Sequence, residues 1–178
     1  MSNVQVRPWT EADLPTVGRL HAASRHHAYA DLVDAGALAR VTSETQEATW
    51  RQRWVRLREG AAQGRPCVTL LAEQETEAVG FGVAFALPEP DRASQAELNA
   101  LHVLPQHHRA GVGRALMDAV VAAMRTWDVR TAHLLVLEGN TRAESFYRRT
   151  GWSCRGRAGT HDVGGAQVPV LRYELRLR

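Results

Sequence analysis

The chain has 178 residues, 44% hydrophobic and 23% charged, which excludes disordered, collagen-like and membrane-embedded classes. That length suits one domain spanning residues 1–178, burying roughly 70% of its unfolded surface. The net charge of +3 favours anionic partners; nucleic acid is not expected, because the arginines are scattered rather than gathered in a stripe with aromatics.

The first residues lack a basic-then-apolar signal segment, since Glu11 and Asp13 arrive early. No apolar run approaches the roughly 18–20 residues of a membrane span, so no membrane association and a cytoplasmic location are expected. Residues 3–8 read as a strand. Thr10 caps a helix, with Asp13 completing a capping box, and Leu14, Val17 and Leu20 mark its buried face. A short helix is expected around residues 31–39. Ser43 with Gln46 repeats the cap for a helix to about Glu59, ended by Gly60. Trp50, Trp54 and Leu57 share one face of it, as core packing or as the wall of an acceptor pocket.

Residues 66–72 and 78–86 are strands around a charged turn at 73–77, which reads as a hairpin. Pro88, Glu89 and Pro90 form a loop, and residues 95–103 a further strand. Residues 111–127 make a long helix with Leu116, Val120, Ala123 and Met124 on one face. Residues 131–137 are strand-like, and Asn140 begins a helix that stops at Gly151. Residues 153–160 and 168–177 close the chain as a hairpin around Gly164 and Gly165. The hairpins are antiparallel, whereas the strand–helix–strand unit over residues 95–137 is a parallel crossover. The seven strands therefore form a mixed α/β sheet with helices on its faces.

All 22 basic residues are arginine, so the protein offers no side-chain amine of its own to acylate. Cys67 and Cys154 each lie in a strand-like run and read as small buried hydrophobes rather than a disulfide or a nucleophile. No metal site is expected. His26-His27 and His107-His108 are adjacent pairs, which do not face one site on a helix, and there is no H-E-x-x-H or Cys/His quartet.

The chemistry gathers at His108, Arg109, Ala110, Gly111, Val112, Gly113 and Arg114, which join a strand to the start of a helix. The glycines remove side chains that would block approach to the backbone. The first helical turn leaves its N–H groups unpaired, with the positive end of the helix dipole beside them. A pyrophosphate matches both features, and Arg109 and Arg114 are placed to add charge-assisted contacts. Two glycines two apart also mark an ordinary tight turn. The turn is not a P-loop, for no Gly-Lys-Ser/Thr follows, and a Rossmann fingerprint would have a third glycine and open the fold.

The downstream sequence resembles the GNAT superfamily of N-acetyltransferases. Residues 108–113 match its Q/R-x-x-G-x-G/A signature at both glycines, with His108 in place of Gln or Arg. Asn140, Ala143, Phe146, Tyr147, Gly151 and Trp152 match the N-x-x-A-x-x-F-Y-x-x-x-G-F/W element about 30 residues on. The resemblance is strong over residues 97–152 and looser elsewhere. It implies a mostly antiparallel seven-stranded sheet, splayed between strands 4 and 5, with helices on both faces. It implies acetyl-CoA as co-substrate and direct attack on the thioester by a primary amine in a ternary complex. Main-chain groups at Leu101, His102 and Val103 would bond the thioester carbonyl and pantetheine amides. His108 or Arg109 would help hold the phosphates, and Asn140, with Ala143 and Phe146, would touch pantetheine while capping its helix.

Tyr147 matches the tyrosine that commonly protonates the coenzyme sulfur, its alternative role being helix packing. Glu97, sixteen residues before Gly113, falls where several such enzymes carry a general base; its alternative is a solvated strand-edge carboxylate. His26, His27, Tyr29 and the turn over residues 159–167 fall where these proteins build the acceptor pocket. The acceptor is an amine on a small molecule, peptide or protein, and a homodimer is open. A non-catalytic acyl-CoA sensor and a basic nucleic-acid-binding module are the rival readings.

Overall fold

The computed structural model describes residues 4–88 and 95–177. Glu89 and Pro90 of the expected loop, and residue 3 of the first strand, lie outside the described residues. The chain runs β1 (Val4–Pro8), α1 (Leu14–Tyr29), α2 (Ala35–Ala39), α3 (Ser43–Ala62), β2 (Cys67–Gln74), β3 (Glu77–Ala86), β4 (Gln95–Val103), α4 (Val112–Arg125), β5 (Thr131–Leu137), α5 (Thr141–Arg149), β6 (Ser153–Val163) and β7 (Ala166–Arg176). One seven-stranded sheet has the order β1-β2-β3-β4-β5-β7-β6. Every pairing is antiparallel except β4 with β5. Among the described residues no helix is long and apolar enough to cross a membrane.

The alternation along β3 shows how helices cover both faces. Phe81 and Val83 are fully buried against Leu14, Val17, Leu20 and Trp50 of α1 and α3. Gly80 and Gly82 point the other way, where a Cβ would meet Leu116 and Val120 of α4 at 3.2–3.3 Å. Burying each large aliphatic or aromatic side chain contributes about 1.5–3 kcal/mol, so these two layers supply most of the driving force. Gly18 sets the α1–α3 approach: a Cβ there would lie 2.7 Å from Ser43 O and 2.8 Å from Glu47 N. A third cluster joins Ala37 and Leu38 of α2 to Val163, Val168 and Val170 of the β6–β7 hairpin.

The caps differ from the sequence reading in instructive ways. Asp13 does reach back to the Thr10 N–H, at 2.8 Å. The second cap is Thr42 with Thr45 rather than Ser43 with Gln46: Thr42 Oγ1 accepts from Thr45 N at 3.2 Å, and Thr45 Oγ1 from Thr42 N at 3.0 Å. Gly60 does not end α3. It is buried inside the helix under Arg65, and Gly64, with φ +80°, makes the left-handed exit. The short helix starts at Ala35, capped by Asp34, whose carboxylate accepts from Ala37 N at 2.8 Å. The β2–β3 turn narrows to Glu75 and Thr76, both at positive φ.

Candidate active site

β4 and β5 pair over only three residues, Gln95 with Thr131, Ala96 with Ala132 and Glu97 with His133. Beyond Glu97, β4 continues along β3 to Val103, and β5 continues along β7. The cause is local. Val83 pairs with Ala100 and Ala84 with Leu98, which leaves Asn99 as a bulge residue. A bulge bends its strand and adds twist, so the two parallel strands diverge. Leu101, His102 and Val103 thus lie on an edge of β4 that no described strand pairs. The His102 side chain turns away from α4. It stacks on Phe81, its Nδ1 lies 2.9 Å from Ser24 Oγ, and its pKa is pushed down to about 3, first by burial and then by Arg25 and Arg53.

β4 leads into the glycine turn. Gly111 caps α4 at φ +84°, and a Cβ there would meet nothing within 4 Å. The first helical bond runs from Ala115 N to Gly111 O at 2.9 Å, so the N–H groups of Val112, Gly113 and Arg114 face outward from the helix start. A Cβ on Gly113 would sit 3.6 Å from the Phe146 ring and 3.7 Å from Val103, which makes this glycine the point where α4, α5 and β4 converge. Arg109, at φ +64°, and Ala110 are exposed beside the opening. Arg114 instead pairs with Asp118 one turn down, at 2.8 Å.

His108 is turned inward. Its Nε2 donates to Val103 O at 3.1 Å, and its Nδ1 accepts from Arg142 Nη1. Arg142 also reaches His27 Nε2 at 3.1 Å, and the His27 and His108 rings meet edge to face. Partial burial holds the His108 pKa below its ordinary value, and Arg142 and His27 add to the effect against the Val103 bond.

The second motif works through the end of α5. Asn140 Oδ1 accepts from Ala143 N at 3.2 Å, which caps the helix start. At the other end Gly151 adopts φ +92°, Trp152 N donates to Tyr147 O at 3.0 Å and Gly151 N to Arg148 O at 3.2 Å. This is a Schellman closure, and its apolar contact is Trp152 against Tyr147. The motif's Gly-Trp therefore clamps its Tyr. Tyr147 is buried among Phe146, Trp152 and Tyr173. Burial, with the nearby Tyr29 hydroxyl, pushes its pKa well above the ordinary phenol value.

Glu97 is held rather than solvated. Its Oε1 accepts from Asn99 Nδ2 at 2.7 Å, its Oε2 lies 3.6 Å from His133 Nε2, and only 23% of the side chain is exposed. Asn99 in turn accepts from Arg53 Nη1 at 3.1 Å. Arg25 donates to His161 Nε2 at 2.9 Å and lies over the Tyr29 ring. Of the expected acceptor contacts, Tyr29 and His161 face this cluster, whereas His26 is tied to Val41 O at 2.8 Å.

Arg25, Arg53, Asn99, His133 and Arg142 were not singled out from the sequence. They come from five separate elements, and the one local clue is that Asn99 follows Glu97 by two residues. Trp50 is core, fully buried, and Trp54 and Leu57 pack partly buried beside it; Trp50 and Leu57 also line a cavity with Arg53 and Asn99. Cys154 is exposed on the edge strand β6, not buried as expected, because the outer face of that strand has no covering layer; Cys67 is half-buried. Among the described residues no group of three or more His, Cys, Asp or Glu side chains is placed to hold a metal ion.

Comparison with known proteins agrees with this architecture. An N-acetyltransferase of Mycobacterium bovis is 32% identical over 96 residues, covering 52% of this chain and 59% of the relative. A mycothiol acetyltransferase of Propionibacterium freudenreichii is 31% identical over 155 residues, 86% of this chain and 43% of its own. The chain thus spans less than two thirds of the length of these relatives. The PaiA N-acetyltransferase of Thermoplasma acidophilum, in complex with coenzyme A, superposes with a TM-score of 0.72 at 17% identity, covering 96% of this chain and 98% of that one. The Acetyltransferase (GNAT) family model matches residues 36–152, and with the splayed β4–β5 seam and its glycine turn, this chain belongs to the GNAT acetyltransferase family.

Proposed function

We propose that this chain transfers an acetyl group from acetyl-CoA to a primary amine by direct attack in a ternary complex. The observation that supports the reading is the β4–β5 seam, which opens beyond Glu97 and leads into the glycine turn at Gly111. Glu97 stands where β4 and β5 part, and Tyr147 sits on the helix that follows β5. The residues present fit the coenzyme: the outward N–H groups at the start of α4, an open space above Gly111 and the exposed Arg109 suit a pyrophosphate. Acetyl-CoA supplies the activated acyl group as a thioester. Backbone groups at Leu101, His102 and Val103 line the freed edge and orient the acyl carbonyl. Glu97 removes a proton from the acceptor ammonium, directly or through water, and Tyr147 holds the proton that the departing sulfur needs. The N-acetyltransferase relatives and the coenzyme A bound to the Thermoplasma acidophilum protein support the same assignment.

The test is a thermal-shift titration with acetyl-CoA, CoA and ATP, on the wild type and on Gly111→Glu. A micromolar ligand near millimolar concentration stabilises by roughly 4 kcal/mol. Both coenzymes should raise the wild-type Tm well beyond ATP. Gly111→Glu, which places a carboxylate in the anion space at a left-handed position, should abolish the response. A folded wild type that responds to neither coenzyme refutes the reading.

A further inference from the structure

Several surface arginines hold carboxylates, as Arg7, Arg114 and Arg155 do. Three that line one cavity beside β4 do not. Arg53 is half-buried, with its guanidinium 4.9 Å over the Trp50 ring and its Nη1 on Asn99. With Arg56 and Arg65 it lines a cavity of about 310 Å³, whose apolar walls include Leu57 and Phe85. Among the described residues no acidic side chain lines this cavity, and none of the three arginines is in an ion pair. Arg25 adds positive charge from α1. Burial, then the charge of Arg25, holds the Arg53 pKa below its ordinary value, against the opposing charge of Glu97, which reaches it through Asn99 without an ion pair.

A part-buried guanidinium without a counter-ion carries a desolvation cost that a bound anion offsets, best through paired charge-assisted hydrogen bonds. The cavity has the volume of a small-ligand site. It also touches the proposed base through one side chain, for Asn99 in its wall accepts from Arg53 and donates to Glu97. We infer, building on the acetyl-transfer reading above, that the acceptor is a small amine carrying an anionic oxygen group, a carboxylate or a phosphate, which seats among Arg53, Arg56 and Arg65 with its amine toward Glu97. Polycationic acceptors meet like charge at this wall and are disfavoured.

Matched probes test this: β-alanine against β-alaninamide, O-phosphoethanolamine against ethanolamine, and cadaverine as the cationic control. Each is measured by acetyl transfer and, independently, by calorimetric titration into the protein saturated with CoA. The anionic member of at least one pair should bind and react about tenfold or more better than its neutral partner. The pair that responds tells carboxylate from phosphate. In Arg56→Gln/Arg65→Gln the ratio should collapse toward one, with the coenzyme-induced Tm shift as the fold control. Equal or better use of the neutral amines or cadaverine by the wild type, or an unchanged ratio in the double variant, overturns the inference. Anion binding without any acetyl transfer would instead sink the enzymatic reading and leave the anion site standing.

Discussion

Tyr147 carries its proton in a buried ring of aromatics, and that environment decides which direction it can serve. Desolvation of the phenolate keeps the hydroxyl protonated far above neutral pH, so it can give a proton but not act as a resting base. Tyr147→Phe should therefore lower kcat by roughly 10²-fold or more while leaving the KM for acetyl-CoA within about twofold, read by thiol release. His102 makes a different use of burial. Its folded pKa of about 3 lies below the unfolded value of 6.5, so the unfolded chain binds the extra proton between those limits. The stability it contributes is complete above pH 6.5 and is lost as pH falls toward 3; His21, also depressed by burial, acts in the same sense. The urea midpoint should fall across that window, and His102→Gln should flatten the fall. An unchanged slope in the variant would exclude His102 as its source.

At the scale of elements, short-range chemistry sets where helices stop and how closely they pass. The Schellman closure at Gly151 uses two backbone hydrogen bonds to hold Tyr147 in place, which is why that motif was readable from the linear sequence. The α1–α3 crossing was not readable, because it depends on contact between residues 18 and 43–47. There Gly18 leaves no room for a Cβ against the Ser43 and Glu47 backbone, and backbone cannot swing aside as a side chain can. Gly18→Val should destabilise by about 1–3 kcal/mol in chemical denaturation, with the loss in midpoint rather than in m-value. The hairpin turn over residues 73–77 was expected, but its narrowing to two residues was not, for a related reason. Glu75 and Thr76 adopt left-handed backbone without the Asn or Gly that usually signals it, since the flanking ladder from Cys67 to Gln74 over-determines the turn.

For the whole molecule, the governing feature is a seven-stranded sheet whose interior opens along one seam, between β4 and β5 beyond Glu97. β3 holds β4 on one side and β7 holds β5 on the other, so the gap opens without loosening the layers. A ligand in that gap should quench exchange locally. Hydrogen–deuterium exchange with saturating acetyl-CoA should slow at residues 98–103 and 112–114, and leave the exposed edge strand β6 unchanged. Protection spread evenly over the sheet would argue for global stabilisation instead of occupancy of the seam.

The sequence by itself determined the elements, their order and the two motif blocks that identify the family. Those signals are local: apolar periodicity, caps and glycines act over a few residues, and the seven strands and the turn at Gly111 follow from them. It also marked Tyr147 and Glu97, though not their surroundings. Only the tertiary structure decided that Glu97 is clasped by Asn99 and stands 3.6 Å from His133, that His108 folds onto Val103, and that Arg53, Arg56 and Arg65 surround a cavity without a counter-charge. Those contacts join residues from different strands and helices. Their chemistry depends on burial and on neighbours brought together by the bulge at Asn99 and by the packing of α1 and α3, and no local pattern encodes either.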